Sequence, residues 1–329
     1  MRHPLLAVAA LAACLLAPGA AHASASLLLV QALNGLQFGV LLFLLAAGLT
    51  LVFGIMNFVN LAHGSLYMIG AYLAASLYHW SGSFLLAAAG VVPAMLALGL
   101  ALERIALSRL AQRDHLEQVL ATFGLILFFN EAARMIWGPS PFYMGVPEAL
   151  SGTIDLFGIA YPRYRAAIIV AGLLVALGCY LVIHRTRLGM LIRAGAANRT
   201  MVGALGVNIG LLNALLFGLG AVLAGIAGLM AGPILSVQPG MGEPILILTM
   251  VVIVIGGIGS IRGAFCAALI VGVVDTVGRA FLPLLLRAVF ERQVANAAGP
   301  ALASMLIFLL MAAVLACRPQ GLFPVKNGG

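Results

Sequence analysis

Unbroken apolar runs, such as 84–102 and 166–184, restrict the fold of this sequence more than any other feature. A helix rises 1.5 Å per residue, so about 20 apolar residues cross the hydrocarbon core of a bilayer. A helix also pairs its own backbone polar groups, which lipid cannot do. Strands of a membrane barrel would instead alternate apolar and polar residues over about ten positions. The runs therefore predict an all-α fold, a polytopic bundle of transmembrane helices.

The composition supports an integral membrane protein. The chain is 64% hydrophobic and 8% charged, and its mean hydropathy is +1.16. A soluble domain has about 25% charged residues, so this chain lacks the polar surface that water requires. The net charge of +8 is explained by arginines that set topology, and no nucleic-acid partner is expected. The four cysteines are scattered without a CxxC pair, which predicts neither a disulfide framework nor a metal site.

The N-terminus has the pattern of a secretory signal. Arg2 precedes a short apolar run at 5–16, and a small-x-small cleavage pattern follows at 21–23. These features predict a signal peptide over 1–23. Two alternatives stay open, a lipid attached at Cys14 and an uncleaved first anchor.

Nine hydrophobic segments follow, near 27–54, 64–79, 84–102, 119–137, 166–184, 209–232, 244–259, 263–286 and 300–316. The first two could form one broken or re-entrant element, so we predict about eight or nine spans. With the N-terminus outside, the predicted cytoplasmic loops hold Arg104, Arg109, Arg113, Arg185, Arg187, Arg193, Arg199, Arg262, Arg318 and Lys326. The opposite loops hold Arg163, Arg165, Arg287 and Arg292. This bias agrees with the positive-inside rule.

Three polar residues interrupt the apolar sequence between the first two segments. Asn57, Asn60 and His63 recur at three-residue intervals, which places them close to one face if the stretch is helical. Polar groups in a membrane segment usually face the bundle interior or a water-filled path, so we predict a substrate path there. The compatible alternative is that the asparagines cap a broken helix. Glu243, in an outer loop, is a further path candidate for a solute amine, with a solvated loop acid as its alternative.

The loop at 185–208 has four arginines, no acid and a short apolar set. The run 194–205 predicts one short helix that ends at Gly206, a C-cap residue. An amphipathic helix on the cytoplasmic face suits docking of a partner, although a basic loop could simply anchor the topology. The docking candidates are Arg185, Arg187, Gly189, Arg193, Asn198, Arg199 and Gly206.

Two pairs of opposite charge lie inside predicted segments. Glu131 with Arg134 and Asp275 with Arg279 are spaced i,i+3 and i,i+4, so each pair shares one helix face. Structural pairing is favoured over a proton relay. The stretch "GGIGSIRGA" (256–264) lacks the Lys-Ser/Thr of a P-loop and predicts a tight helix-to-helix turn without bound nucleotide.

Several of these stretches carry a family likeness. "GLTLVFGIMNFVNLAHGSLYMIGAYLA" (48–74) resembles the first block of the branched-chain amino acid permease subunits of bacterial ABC importers. "RTRLG" with "RAGAANRTMVGALGVN" (185–208), "GGIGSIRGA" and "RPQGLF" (318–323) follow in the family's order. The resemblance covers about 31–324, and it departs from the family at Ala197 and Asn198, where an acidic pair is common.

The resemblance implies a transport subunit of the bacterial inner membrane, with a permease domain over 24–329 that imports branched-chain amino acids. Its implied partners are a second permease subunit, two cytoplasmic ATPase subunits and a periplasmic substrate-binding protein. ATP would be bound by the ATPases, so the chain itself needs no cofactor and is no enzyme. In that picture 185–208 contains the helix that couples ATP hydrolysis to the gate. The alternatives are a urea or short-amide importer of the same superfamily and, in another class, an ion-coupled secondary transporter, which would need an ion site near the midplane.

Overall fold

A computed structural model of the chain describes residues 18–56, 58, 60–156, 158–287 and 290–323. The helices are α1 Pro18–Met56, α2 His63–Ser81, α3 Phe84–Leu102, α4 Ser108–Leu110, α5 His115–Trp137, α6 Arg163–Arg185, α7 Arg187–Ala197, α8 Arg199–Ala204, α9 Ile209–Ala231, α10 Gly242–Gly256, α11 Ile261–Leu286 and α12 Arg292–Cys317. A π-helical turn, Glu103–Leu107, joins α3 to α4, and Glu148–Leu150 is a 3₁₀ turn. Two short strands, β1 Thr153–Leu156 and β2 Ile159–Pro162, pair antiparallel.

Each of the nine apolar segments coincides with a helix of the bundle. Within the part of the chain that the structure describes, seven helical stretches are long and apolar enough to span a bilayer: Ser26–Gly54, Phe84–Leu110, His115–Trp137, Arg163–Arg185, Ile209–Ala231, Ile261–Leu286 and Arg292–Cys317. The helices α2 and α10 are not among them, so the count of eight or nine spans stays a prediction. The β1–β2 hairpin is an addition to the all-helical fold that the sequence predicts. The signal peptide falls mostly before residue 18, outside the described residues, and also stays a prediction.

The helices α1 and α9 form the centre of the bundle. Their most apolar stretches are 83% and 72% buried, against 22% or less in the other five spans. Helices that are apolar all round are stable only when other helices or lipid cover them, and here α1 and α9 are covered by protein. The outer helices leave large apolar side chains exposed where lipid would contact them, for example Leu85, Phe128 and Leu309.

The order of contacts along α1 gives the directions of its neighbours. Gly35 lies against Val273 of α11, and Gly39, one turn later, lies against Ala268. The two helices are therefore antiparallel. Gly54, near the end of α1, lies beside Gly259 in the α10–α11 turn, so both reach the same end of the bundle. The positive-inside bias assigns that end to the cytoplasm.

The helix α2 does not begin at that cytoplasmic end. His63, its first residue, places its Nε2 atom 3.2 Å from the carbonyl oxygen of Leu45. Leu45 precedes Met56 by about 16 Å along α1, at 1.5 Å per residue. The chain therefore turns back after α1 and starts α2 well inside the bundle. The helix α2 then runs outward to the other end of the bundle, so this region is the broken element that the sequence allowed and not a re-entrant one, which would return to the cytoplasmic end.

The helix α10 also begins inside the bundle. The preceding helix, α9, ends at the outer face, where the carbonyl of Met230 accepts a hydrogen bond of 2.9 Å from the Tyr164 hydroxyl. The chain then re-enters, and Gly242 at the start of α10 lies against the backbone of Gly64 in α2. Two short helices thus start at the same depth, with α2 running outward and α10 running inward.

Candidate functional site

The N-termini of α2 and α10 meet at Gly64 and Gly242. A Cβ atom on either glycine would overlap the carbonyl oxygen of the other, so only glycine permits this approach. Neither N-cap residue, Ala62 or Met241, makes a side-chain hydrogen bond to its helix. Because helix N-termini carry partial positive charge, this junction is a polar, electropositive point inside an apolar bundle.

The polar stretch before α2 holds the broken backbone in place. The sequence allowed Asn60 as a helix cap, but the N-cap of α2 is Ala62, and the Oδ1 atom of Asn60 accepts a hydrogen bond of 3.0 Å from the N–H of Ala62 in an Asx turn before the helix. Asn60 and His63 are both buried, and among the described residues Nδ2 of Asn60 and Nδ1 of His63 have no hydrogen-bond partner. Asn57, the third residue of the predicted path, lies outside the described residues.

Glu243 belongs to a second group of hydrogen bonds, which holds the non-helical backbone before α10. Its Oε1 atom accepts a hydrogen bond of 2.6 Å from Nδ2 of Asn130 on α5. The Oδ1 atom of the same asparagine accepts one of 3.2 Å from the N–H of Gly240. The segment between α9 and α10 is held further by paired backbone hydrogen bonds between Phe142 and Val237, of 2.7 and 3.0 Å. These bonds satisfy irregular backbone at membrane depth, which lipid would leave unpaired.

A cavity of about 410 Å³ lies in the outer part of the bundle, and its lining includes Tyr67 and Ile245, which each follow one of the two junction glycines by three residues. Its polar lining residues are Gln31, Asn34, Gln37, Arg165, Thr276 and Arg279. Its inner end is formed by Leu45, Tyr67 and Ile245. The carbonyl of Leu45 is the group that His63 contacts, and Tyr67 follows His63 by one helical turn. We call this cavity the outer vestibule. His63, Asn60 and Glu243 are not among its lining residues, so their role in a substrate path stays a prediction.

Two arginines line the outer vestibule. Arg165, near the start of α6, donates a hydrogen bond of 2.7 Å from Nη1 to Oδ1 of Asn34. The hydroxyl of Tyr161 donates to the same oxygen at 3.3 Å. Burial raises the pKa of Tyr161 more than Arg165 lowers it, so the hydroxyl keeps its proton and remains a donor at neutral pH.

The second arginine, Arg279, belongs to one of the two ion pairs that the sequence predicts inside the apolar segments. Nε of Arg279 lies 2.8 and 2.9 Å from the two carboxylate oxygens of the buried Asp275, and its Nη2 donates to Ser304 at 3.0 Å. The other pair, Glu131 with Arg134 at 3.3 Å, is exposed on α5 and contributes little stability. The sequence does not predict that Arg165 and Arg279 share a cavity, because no local pattern relates residues so far apart in the chain.

The cytoplasmic loop differs from its prediction. The single helix expected over 194–205 is wrong, since the structure has α7 and α8 with a break at Asn198. The Asn198 side chain accepts a hydrogen bond of 2.9 Å from the N–H of Met201. Asparagine favours this N-cap geometry over a helix interior, which explains the break. Gly206 ends α8 as predicted, with φ of 86°.

The helix α7 is tied to the ends of the membrane helices. Gly189 passes so close to the carbonyls at the end of α6 that a Cβ atom would overlap the Ile183 oxygen, and the Arg193 guanidinium donates to that same carbonyl. Ile192 is buried in a cluster with Leu51 of α1 and Leu216 of α9. A movement of α7 would therefore reach α1, α6 and α9 directly.

The helix α8 presents an uncovered surface instead. Met201 and Leu205 are exposed, as is Met190 on α7. Arg185 and Arg187 are also exposed beside them, whereas the side chain of Arg199 lies outside the described residues. Exposed apolar side chains with arginines around them are typical of a surface that binds another protein.

A bundle of apolar helices, two of which begin inside the bundle, with an internal cavity and a basic cytoplasmic loop, defines a polytopic membrane protein. The chain belongs to the family of permease components of branched-chain amino acid transport systems, whose family model matches residues 31–315. It is accordingly a multi-pass protein of the bacterial inner membrane.

Individual relatives are similar over most of their length. The high-affinity branched-chain amino acid transport system permease protein BraD of Pseudomonas aeruginosa is 31% identical over 314 residues, covering 89% of this chain and 95% of that protein. The corresponding LivH of Salmonella typhimurium is 32% identical over 270 residues, covering 77% and 87%. The ribose import permease protein RbsC of Escherichia coli is 27% identical over 236 residues, covering 70% and 71%. No solved structure matches the chain.

Proposed function

We propose that this chain is the membrane-spanning subunit of an ATP-driven importer and that its solutes are branched-chain amino acids. The observation that supports the proposal is the outer vestibule, whose lining includes Tyr67 and Ile245, close to the electropositive junction of α2 and α10. The names of BraD and LivH support the solute class. A solute released by a periplasmic binding protein would enter the vestibule, and the junction would form the closed gate beneath it.

The lining of the vestibule suits a zwitterion with an apolar side chain. Arg165 and Arg279 each have more N–H groups than the contacts described above use, and guanidinium binds carboxylate strongly. Below them the wall is apolar, with Leu41, Leu42 and Leu45. Urea and short amides carry no carboxylate, so a vestibule with two arginines favours an amino acid over these alternatives.

A secondary transporter receives less support. Ion coupling needs an acidic or otherwise titratable site near the midplane. The described residues that line the vestibule include no carboxylate, and the nearby Asp275 is engaged by Arg279. This pairing agrees with a structural role for Asp275. We therefore propose that partner subunits, and not an ion gradient, supply the energy for uptake.

We further propose that α7 and α8 couple those partners to the gate. The exposed face of α8, with Met201 and Leu205, would bind the ATPase subunits, and the anchored α7 would pass their movement to α1, α6 and α9. The proposed complex contains a second permease subunit, two cytoplasmic ATPases that bind the ATP, and a periplasmic binding protein.

Substituting Arg165→Gln tests the vestibule. We expect leucine uptake at subsaturating concentration to fall by about ten-fold, because one charge-assisted hydrogen bond to the carboxylate is lost. Uptake of radiolabelled leucine by cells that express equal amounts of each variant provides the measurement. Arg163→Gln is the matched control, since Arg163 lies two positions away, is exposed and does not line the cavity. Unchanged uptake by the Arg165 variant, or an equal loss in the control, would contradict the assignment of the vestibule without affecting family membership.

A further inference from the structure

A second cavity, of about 490 Å³, lies at the cytoplasmic end of the bundle between α6 and α11. Its walls are apolar and include Phe43, Leu177 and Phe265. Leu173 and Leu177 on α6 are 40% and 53% exposed, so the cavity is a groove that is open towards the surrounding bilayer. We call it the α6–α11 groove.

The cytoplasmic rim of the groove is cationic and aromatic. The guanidinium carbon of Arg262 lies 5.8 Å from the ring centre of Tyr180, and its Nη2 atom lies 3.4 Å from Nε2 of His184. Tyr180 and His184 stack on each other with their ring centres 4.3 Å apart. None of the ion pairs formed among the described residues includes Arg262. An exposed arginine is therefore held over a ring, without an acid to neutralise it.

The length of the groove matches one leaflet of a bilayer. Leu173 and His184 are separated by about 16 Å along α6, at 1.5 Å per residue. Half of the hydrocarbon core is about 15 Å thick. An acyl chain that follows the groove would therefore place its head group at the level of Arg262, where head groups of the cytoplasmic leaflet lie.

We propose that the α6–α11 groove binds one anionic phospholipid, with its phosphate on Arg262 and an acyl chain along α6. Basic pockets between membrane helices on the cytoplasmic side suit such head groups. Charge complementarity favours an anionic lipid over a helix of another subunit because, among the described residues that line the groove, Arg262 at the rim has no paired acid and the deeper walls are apolar.

The bound lipid would also brace the C-terminal tail. Phe323 lines the groove, and its N–H donates a hydrogen bond of 3.1 Å to the carbonyl of Gly256. The N–H of Leu322 donates to Ile255 at 2.9 Å. The tail is thereby hydrogen-bonded to the end of α10, next to the start of α11, which carries Arg262. The "GGIGSIRGA" stretch and the "RPQGLF" tail would thus both form the cytoplasmic end of the lipid site.

Native mass spectrometry of the full chain in detergent tests the proposal, with dipalmitoyl phosphatidylglycerol and dipalmitoyl phosphatidylcholine as probes. We expect one phosphatidylglycerol to bind more tightly than phosphatidylcholine. Arg262→Gln should lower the affinity for phosphatidylglycerol about five-fold and that for the net-neutral phosphatidylcholine by less, whereas Arg262→Lys should retain most of the affinity. Ala176→Trp, which fills the groove but keeps the charge, should also lose phosphatidylglycerol. Leu174→Trp, on the exposed face of α6 outside the groove, is its matched control.

Several results would overturn the proposal. These are equal affinity for the two lipids, unchanged binding in Arg262→Gln, and unchanged binding in Ala176→Trp. A protein that covers the groove is a further contrary outcome, and a Leu177→Cys variant that crosslinks to a second subunit in membranes, with no lipid retained, would reveal it. Glutamine and lysine variants that remain monodisperse in detergent separate loss of the site from loss of the fold.

Discussion

Replacing Gly64 with valine is expected to abolish uptake and to remove most of the folded protein. The Cβ atom at this position would overlap the carbonyl oxygen of Gly242. The two groups that would collide are the new Cβ atom and a backbone carbonyl, so no side-chain rotation relieves the clash. Moving either helix would disturb the hydrogen bonds of Asn130 with Glu243 and Gly240, and those between Phe142 and Val237. Overpacking costs about 1–3 kcal/mol where side chains can adjust, and more where they cannot. Membrane extracts compared by fluorescence-detected size-exclusion chromatography would measure the amount of folded protein.

The alanine variant distinguishes the backbone clash from the effect of a bulky side chain. Gly64→Ala should already lose most of the uptake and of the folded protein, since the clash involves the Cβ atom itself. Gly178→Val is the matched control, because a Cβ atom on Gly178 of α6 meets nothing within 4 Å. Normal folding and uptake in the Gly64 variants would mean that α2 and α10 do not meet as described.

Reversing the charge at Arg193 is expected to separate ATP hydrolysis from uptake. The Arg193 guanidinium donates to the Ile183 carbonyl at the end of α6, where the helix dipole is negative. A glutamate there loses a charge-assisted hydrogen bond and adds repulsion, which together amount to at least about ten-fold in the coupled state. Leucine uptake by the assembled importer should fall by that factor, while its basal ATP hydrolysis continues.

Two further variants make the result specific to α7. Arg193→Lys keeps a cationic donor and should restore much of the uptake. Arg104→Glu makes the same charge change at an exposed arginine on the cytoplasmic side that lies outside α7 and α8. It should therefore affect uptake less. Full uptake together with full substrate-stimulated ATP hydrolysis in Arg193→Glu would show that α7 does not transmit the movement.

The sequence alone predicts the helical bundle because apolar run length measures membrane-spanning capacity directly. It also predicts the end of α8 at Gly206, since a C-cap glycine is a local signal. The break at Asn198 was missed although asparagine is a common N-cap residue, because the apolar set on either side suggested one continuous helix.

Depth and long-range neighbours are harder to predict. Hydropathy counts apolar residues but does not say where in the bilayer they begin, so it left 64–79 open between a full span and part of a broken element, and 244–259 resembled an ordinary span. The contacts of His63 with Leu45 and of Gly64 with Gly242 show that α2 and α10 start inside the bundle. The same holds for the two vestibule arginines. In the sequence Arg165 is a loop residue and Arg279 is the partner of Asp275, and only tertiary packing places both in one vestibule.

Reconstitution into liposomes tests most directly the central claim that partner subunits supply the energy for uptake. The complex purified with its second permease and ATPase subunits would be supplied with the binding protein, leucine and ATP. We expect leucine to accumulate against its gradient only when ATP can be hydrolysed, and the chain reconstituted alone to accumulate none under a proton or sodium gradient. Uphill accumulation by the isolated chain, driven by an ion gradient without ATP, would contradict the account.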